Sequence, residues 1–89
     1  METILVGSNI EMKTIIPIRE KLSKILKEES EIKLDLQKVK FIDSSGISLL
    51  INLANRLRKR DGRLIIFNAS KEIRDLLDVA DVVSVAEVV

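Results

Sequence analysis

Asp43, Ser44, Ser45 and Gly46 bring a carboxylate, two hydroxyls and a glycine together where one hydrophobic pattern ends and another begins. An apolar stretch leads into them, and an amphipathic run with helical spacing follows. Such a junction is a helix N-terminus, where unsatisfied backbone N–H groups collect and Asp or Ser side chains accept from them. The same terminus tolerates negative charge, so a phosphoryl group on Ser44 or Ser45 would face the positive end of the helix dipole. Capping alone also accounts for Asp and Ser at this place, and the residues by themselves leave both readings open.

The helical angle separates the two serines. With about 100° per residue, stepping back from Ile47 puts Ser44 within about 60° of the apolar stripe and Ser45 about 160° from it. Ser45 is therefore expected on the outer face, together with Leu49, Asn52 and Arg56: a hydroxyl beside an exposed leucine and a polar strip. Leu53, nearer the stripe, is expected to be partly buried.

Composition removes most other chemistry. The chain has no Cys and no His, which excludes disulfides and thiolate metal sites and removes the usual general base. Catalysis by either serine would then need a lysine buried beside it. Lys40 is the nearest, at a strand-to-turn position that favours solvation, and no Gly-rich phosphate loop accompanies it. Arg56, Arg58, Lys59, Arg60 and Arg63 suggest a nucleic-acid surface. Against that stand a formal charge of +1 and only two aromatic residues, Phe41 and Phe67, both expected to be buried. No long apolar run suggests a membrane span or secretory signal, so a cytoplasmic protein with no membrane partner is expected.

The surrounding elements read as β-α-β-α-β-α with a tail, in one domain over residues 1–89. Thr3 to Val6 is a short strand, followed by Gly7-Ser8-Asn9 turn chemistry. The first helix enters near Thr14, with Pro17 in its first turn and Ile18, Leu22, Ile25 and Leu26 on one face. Ile32, Leu34 and Leu36 alternate with Lys33 and Asp35 as in a strand buried on one side. The second helix is expected from about Ser44 to Arg60, its core stripe Ile47, Leu50, Ile51, Ala54 and Leu57, with Asp61-Gly62 as the stop. Leu64 to Phe67 is a continuous apolar run that suits a strand covered on both faces. Ser70 caps a third helix carrying Ile73, Leu76, Leu77 and Ala80, and a last strand is expected around Val83 to Ala86. Strands alternating with helices predict an α/β fold: a mostly parallel four-stranded sheet with about three helices packed against it.

Leu34-Asp35-Leu36, Val39 and Phe41-Ile42-Asp43-Ser44-Ser45-Gly46 together resemble the signature of the anti-sigma factor antagonists of the STAS family. The resemblance runs from Ile32 to about Val85. It implies that the unmodified protein binds an anti-sigma factor, a serine protein kinase, and so frees a sigma factor. Phosphorylation would reverse this at the serine before the signature glycine, Ser45, and a PP2C-type phosphatase would reset the switch. Asp43, Ser44, Ser45, Gly46, Leu49, Asn52 and Arg56 are the implied partner-binding surface; no cofactor or direct nucleic-acid contact is implied. The STAS fold also serves as a transporter accessory or stressosome-type scaffold, the alternative reading. At the N-terminus the chain departs from the family pattern, lacking the strand that precedes the first one here. A smaller sheet with an exposed edge at Glu2 to Val6 is expected. That edge offers a route to dimers, although a monomer is the principal expectation.

Overall fold

The computed structural model describes residues 2–89. Its elements are β1 (Glu2–Leu5), α1 (Ile15–Leu26), β2 (Glu31–Asp35), α2 (Ser44–Arg58), β3 (Arg63–Phe67), α3 (Lys71–Val79), a 3-10 turn (Val82–Ser84) and β4 (Glu87–Val88). The four strands form one parallel sheet in the order β1-β2-β3-β4, with Ile4 beside Leu34 and Leu34 beside Ile66. Since strand order follows chain order, crossovers of one hand put every connecting helix on the same face. The core shows this. Ile4 and Val6, Ile32, Leu34 and Leu36, and Leu64 and Ile66 all point to the helix layer, where Leu22, Leu26, Leu50, Leu57 and Leu77 meet them.

The opposite face carries no helix among the described residues, which corrects the expectation that β3 is covered on both sides. Ile65 is buried but lies outside the main core. Its strand neighbours are Lys33 and Glu87, and on the same face Arg63 binds Glu31 at 2.9 Å and Glu87 at 3.1 Å. Lys33 Nζ lies 5.0 Å from the centre of the half-buried Phe67 ring. Long charged side chains thus cover an apolar strand with their methylene stems, so a continuous apolar run needs no second helix layer.

Helix starts follow local chemistry. Thr14 precedes α1, but its hydroxyl does not cap the helix; it accepts the Glu11 N–H at 3.1 Å and donates to the Asn9 carbonyl. Pro17 is the third helical residue, where no intrahelical N–H is required. Ser70 caps α3 as expected, accepting the Ile73 N–H at 3.2 Å. At the end of α2 it is Asp61, not the glycine, that takes the left-handed conformation, with φ 58°. Gly62 is needed for space: a Cβ there would stand 1.8 Å from the Ser30 carbonyl oxygen. The expected strand at Val83 to Ala86 is also corrected. Val82 fills the core from the 3-10 turn, and pairing with β3 begins only at Glu87.

Candidate functional site

The mouth of α2 is built by two loops that meet across the C-terminal end of the sheet. Asn9, after β1, accepts the Lys40 and Phe41 N–H groups through its side-chain oxygen, at 2.8 and 3.1 Å. Ile10 then forms a parallel bridge with Ile42, its N–H donating to the Phe41 carbonyl and its carbonyl accepting from the Asp43 N–H. Asp43 completes the join. One carboxylate oxygen accepts the Gly46 N–H at 3.0 Å, as an N-cap should, and the other accepts the Met12 N–H at 2.9 Å from the neighbouring loop. These bonds, Met12 first and Gly46 second, hold the Asp43 carboxyl below its ordinary value. Asp43 is thus an anion whose acceptors are committed to structure.

Gly46, expected among the partner-binding residues, is the third helical residue and is buried in the domain. A Cβ at this position would lie 2.2 Å from the Ile10 carbonyl oxygen and 2.7 Å from Ile42 Cγ2. Glycine is what lets the Ile10 loop close over the helix start.

The two serines are not placed as the helical angle predicted. Ser44 is exposed and Ser45 is half-buried. The buried face of α2 consists of Gly46, Leu49, Leu50, Leu53, Ala54 and Leu57, while Ile47 and Ile51 are only partly covered. The core stripe is therefore rotated towards α1 from the one drawn through Ile47. Leu49, expected to be exposed, is only 9% accessible, and Leu53 only 4%. The cause is α1, which packs beside α2 and buries a flank that the periodicity of α2 alone leaves ambiguous.

That packing leaves a groove of about 560 Å³ between the helices, lined by Arg19, Leu22, Ser23 and Leu26 of α1 and by Ser45, Ser48, Leu49, Asn52, Leu53 and Arg56 of α2. Four leucines line it between serines, an asparagine and two arginines, and no carboxylate is among its lining residues. Ser45, Asn52 and Arg56, expected on one surface, do come together here, with Leu49 as an apolar wall instead of a protruding side chain.

Two exposed apolar residues at the site had escaped the sequence reading. Met12 is 73% accessible and Phe41 51%, and they sit on the two loops that Asp43 joins. Phe41 was expected to be buried. Ile42, next in the chain, takes the inward position and turns Phe41 outward; the period-two alternation of Val39, Phe41 and Ile42 is broken by a loop, so the signal was weak. The basic cluster is dispersed: Arg60 donates to the Leu26 carbonyl, Arg63 is held by Glu31 and Glu87, and Arg56 faces the groove. Lys40 is exposed, as expected. No group of three or more His, Cys, Asp or Glu side chains that could hold a metal ion occurs among the described residues. No described helix is long and apolar enough to cross a membrane.

The fold is a one-sided parallel α/β layer, with a capped serine pair at the mouth of its second helix. The STAS domain family profile matches residues 4–88, and the chain belongs to that family. Among curated proteins it is similar to the anti-sigma-B factor antagonists of Listeria monocytogenes and Listeria innocua, each 26% identical over 86 residues, which is 96% of this chain and 75% of theirs. Among solved structures the fold is shared with an anti-sigma factor antagonist candidate from Thermotoga maritima, at TM-score 0.85 and 12% identity over 97% of this chain and 77% of that one. Unphosphorylated SpoIIAA, also an anti-sigma factor antagonist, matches at TM-score 0.76 and 21% identity, covering 98% of this chain and 76% of its own. The phosphorylated form of Bacillus SpoIIAA matches at 0.73 with the same identity, over 98% and 80%.

Proposed function

We propose that this domain is an anti-sigma factor antagonist controlled by phosphorylation of Ser45. In the unmodified state the mouth of α2 and the groove beside it bind an anti-sigma factor that is also a serine protein kinase, and the sigma factor is released. The observation that carries this reading is the placement of Ser45, second residue of α2, on the rim of the groove, with the neighbouring Asp43 carboxylate engaged by two backbone N–H groups. Among the described residues that line the groove with Ser45 there is no carboxylate, Lys or His to act as a base, so its chemistry is assigned to a partner. The likeness to the Listeria anti-sigma-B factor antagonists supports the choice of partner.

In the kinase step, Ser45 Oγ bonds to the γ-phosphorus of ATP as the bond to the bridging oxygen breaks. ADP leaves, and the hydroxyl proton passes to a base on the kinase. Hydrolysis by a PP2C-type phosphatase returns the hydroxyl and releases inorganic phosphate. The added group carries about −1.5 to −2 charges at neutral pH. A partner that brings no cation of its own would have to desolvate this charge at a cost of several kcal/mol, enough to dissolve a tight complex. In this contact Met12, Phe41, Asp43 and Ser44 form the mouth of α2 with Ser45, Asn52 and Arg56 lie farther along the groove, Leu49 lines it and Gly46 shapes the loop beneath.

Access alone favours Ser44, which is the more exposed of the pair. Ser45 is preferred because it alone faces the groove and because it precedes the glycine of the signature. The test is incubation of wild type, Ser44→Ala and Ser45→Ala with the cognate kinase and ATP, followed by site mapping by mass spectrometry. Phosphate on Ser45, lost only in Ser45→Ala, is expected, with Ser45→Ala binding the kinase constitutively and Ser45→Asp binding it weakly. Phosphate on Ser44 refutes the assignment, and failure of the unmodified protein to bind refutes the function.

A further inference from the structure

We infer that Arg19 is the internal receptor of the phosphoryl group on Ser45, so that the modified domain closes its own groove with an ion pair between α1 and α2. The inference rests on the reading of Ser45 as the modified residue. Helices α1 and α2 run alongside with their N-termini at the same end: Gly46 lies against Ile10, just before α1, while Arg60, after α2, reaches the Leu26 carbonyl at the last residue of α1. Arg19, in the second turn of α1, therefore shares the near end of the groove with Ser45, whereas Arg56 is eleven residues along α2, about 16 Å of helix away. Of the two arginines that line the groove, Arg19 is the one at the end that holds the modified serine.

Arg19 is exposed, and no ion pair or side-chain hydrogen bond engages it among the described residues. The neighbours on its own helix face, Ile15, Ile16, Leu22 and Ser23, include no acid that could compete for it. A guanidinium without a carboxylate, next to leucines, is suited to bidentate recognition of phosphate. The other charges around Ser45 make such a partner necessary. Asp43, two residues earlier, repels a phosphoryl group, and Glu11 and Lys13, flanking Met12 in the adjoining loop, offset one another. Because Ser45 is half-buried on the groove wall, its phosphate emerges towards α1 instead of standing free in solvent. Phosphorylation then acts twice on a partner: it introduces charge at the contact, and it uses the space between the helices that the partner would enter.

The experiment places phosphoserine at position 45 by genetic encoding, so that no kinase is needed, and follows the second ionisation of the phosphate by 31P NMR. Arg19→Gln is expected to raise that pKa by about half a unit, roughly a threefold gain in proton affinity, with Arg19→Lys in between and Arg58→Gln without effect. The difference should shrink in 1 M salt. Superimposable titrations of wild type and Arg19→Gln overturn the inference while leaving the kinase assay for Ser45 untouched. Conversely, a kinase that fails to modify Ser45 refutes the proposed function without altering the 31P result. An equal shift in Arg58→Gln shows a general charge effect and likewise overturns it.

Discussion

In an unconstrained helix, alanine is more favourable than glycine by about 1 kcal/mol, so Gly46→Ala would stabilise α2 if nothing lay against it. The structure reverses the sign. The new Cβ would stand 2.2 Å from the Ile10 carbonyl oxygen, and relief requires the loop to retreat by about 1 Å, a distance that packed interiors resist. Ile10 is 1% accessible, and its carbonyl accepts from the Asp43 N–H at 3.2 Å, so this movement disturbs a packed side chain and lengthens that bond. Overpacking costs about 1–3 kcal/mol and the hydrogen bond about 1 kcal/mol. Less the helical gain, the variant should lose about 2 kcal/mol, which for a domain of this size lowers Tm by roughly 10 °C. Thermal unfolding by circular dichroism reads this directly. Gly7→Ala is the control, since nothing lies within 4 Å of its Cβ and its φ is not positive; it should be neutral or slightly stabilising. A Gly46→Ala protein as stable as wild type would refute the claim that glycine is there to admit the Ile10 loop.

Leu57→Ala empties a fully buried position between α2 and the sheet and should cost about 2–5 kcal/mol in urea unfolding, with the slope unchanged. Asp43→Asn tests the depressed carboxyl: because folding lowers its pKa, its contribution is present above the unfolded value and lost as pH falls through the folded one. Wild type should therefore exceed the variant in urea midpoint near neutral pH, and the gap should close as the pH falls below the ordinary carboxylate range; a constant gap down to strong acid contradicts the linkage. Met12→Ser and Phe41→Ser should leave thermal stability nearly unchanged, since both side chains are exposed, yet each should weaken capture of the anti-sigma factor by about tenfold in a titration. Unchanged affinity removes these two residues from the contact.

The elements and their order follow from local pattern. The alternation of Ile32, Leu34 and Leu36, the helical recurrence of Leu50, Ala54 and Leu57, and the caps Asp43 and Ser70 each depend on residues a few positions apart, and such short-range constraints are written directly into the chain. The start of α2 at the serine pair is one of them, since the Asp43 cap and the apolar recurrence that follows lie within a few residues of it.

Tertiary structure decided which way that site faces. Leu49 is buried and Ser45 half-buried because α1 lies against one flank of α2, a contact between residues more than twenty positions apart that helical periodicity does not encode. Ile65 needs no second helix layer because charged stems from three strands cover it, and Gly46 is held to glycine by a carbonyl thirty-six residues earlier. A repeat of 3.6 identifies the apolar side of a helix only to within the width of one stripe; the neighbour packed beside it determines where the stripe ends and the surface begins.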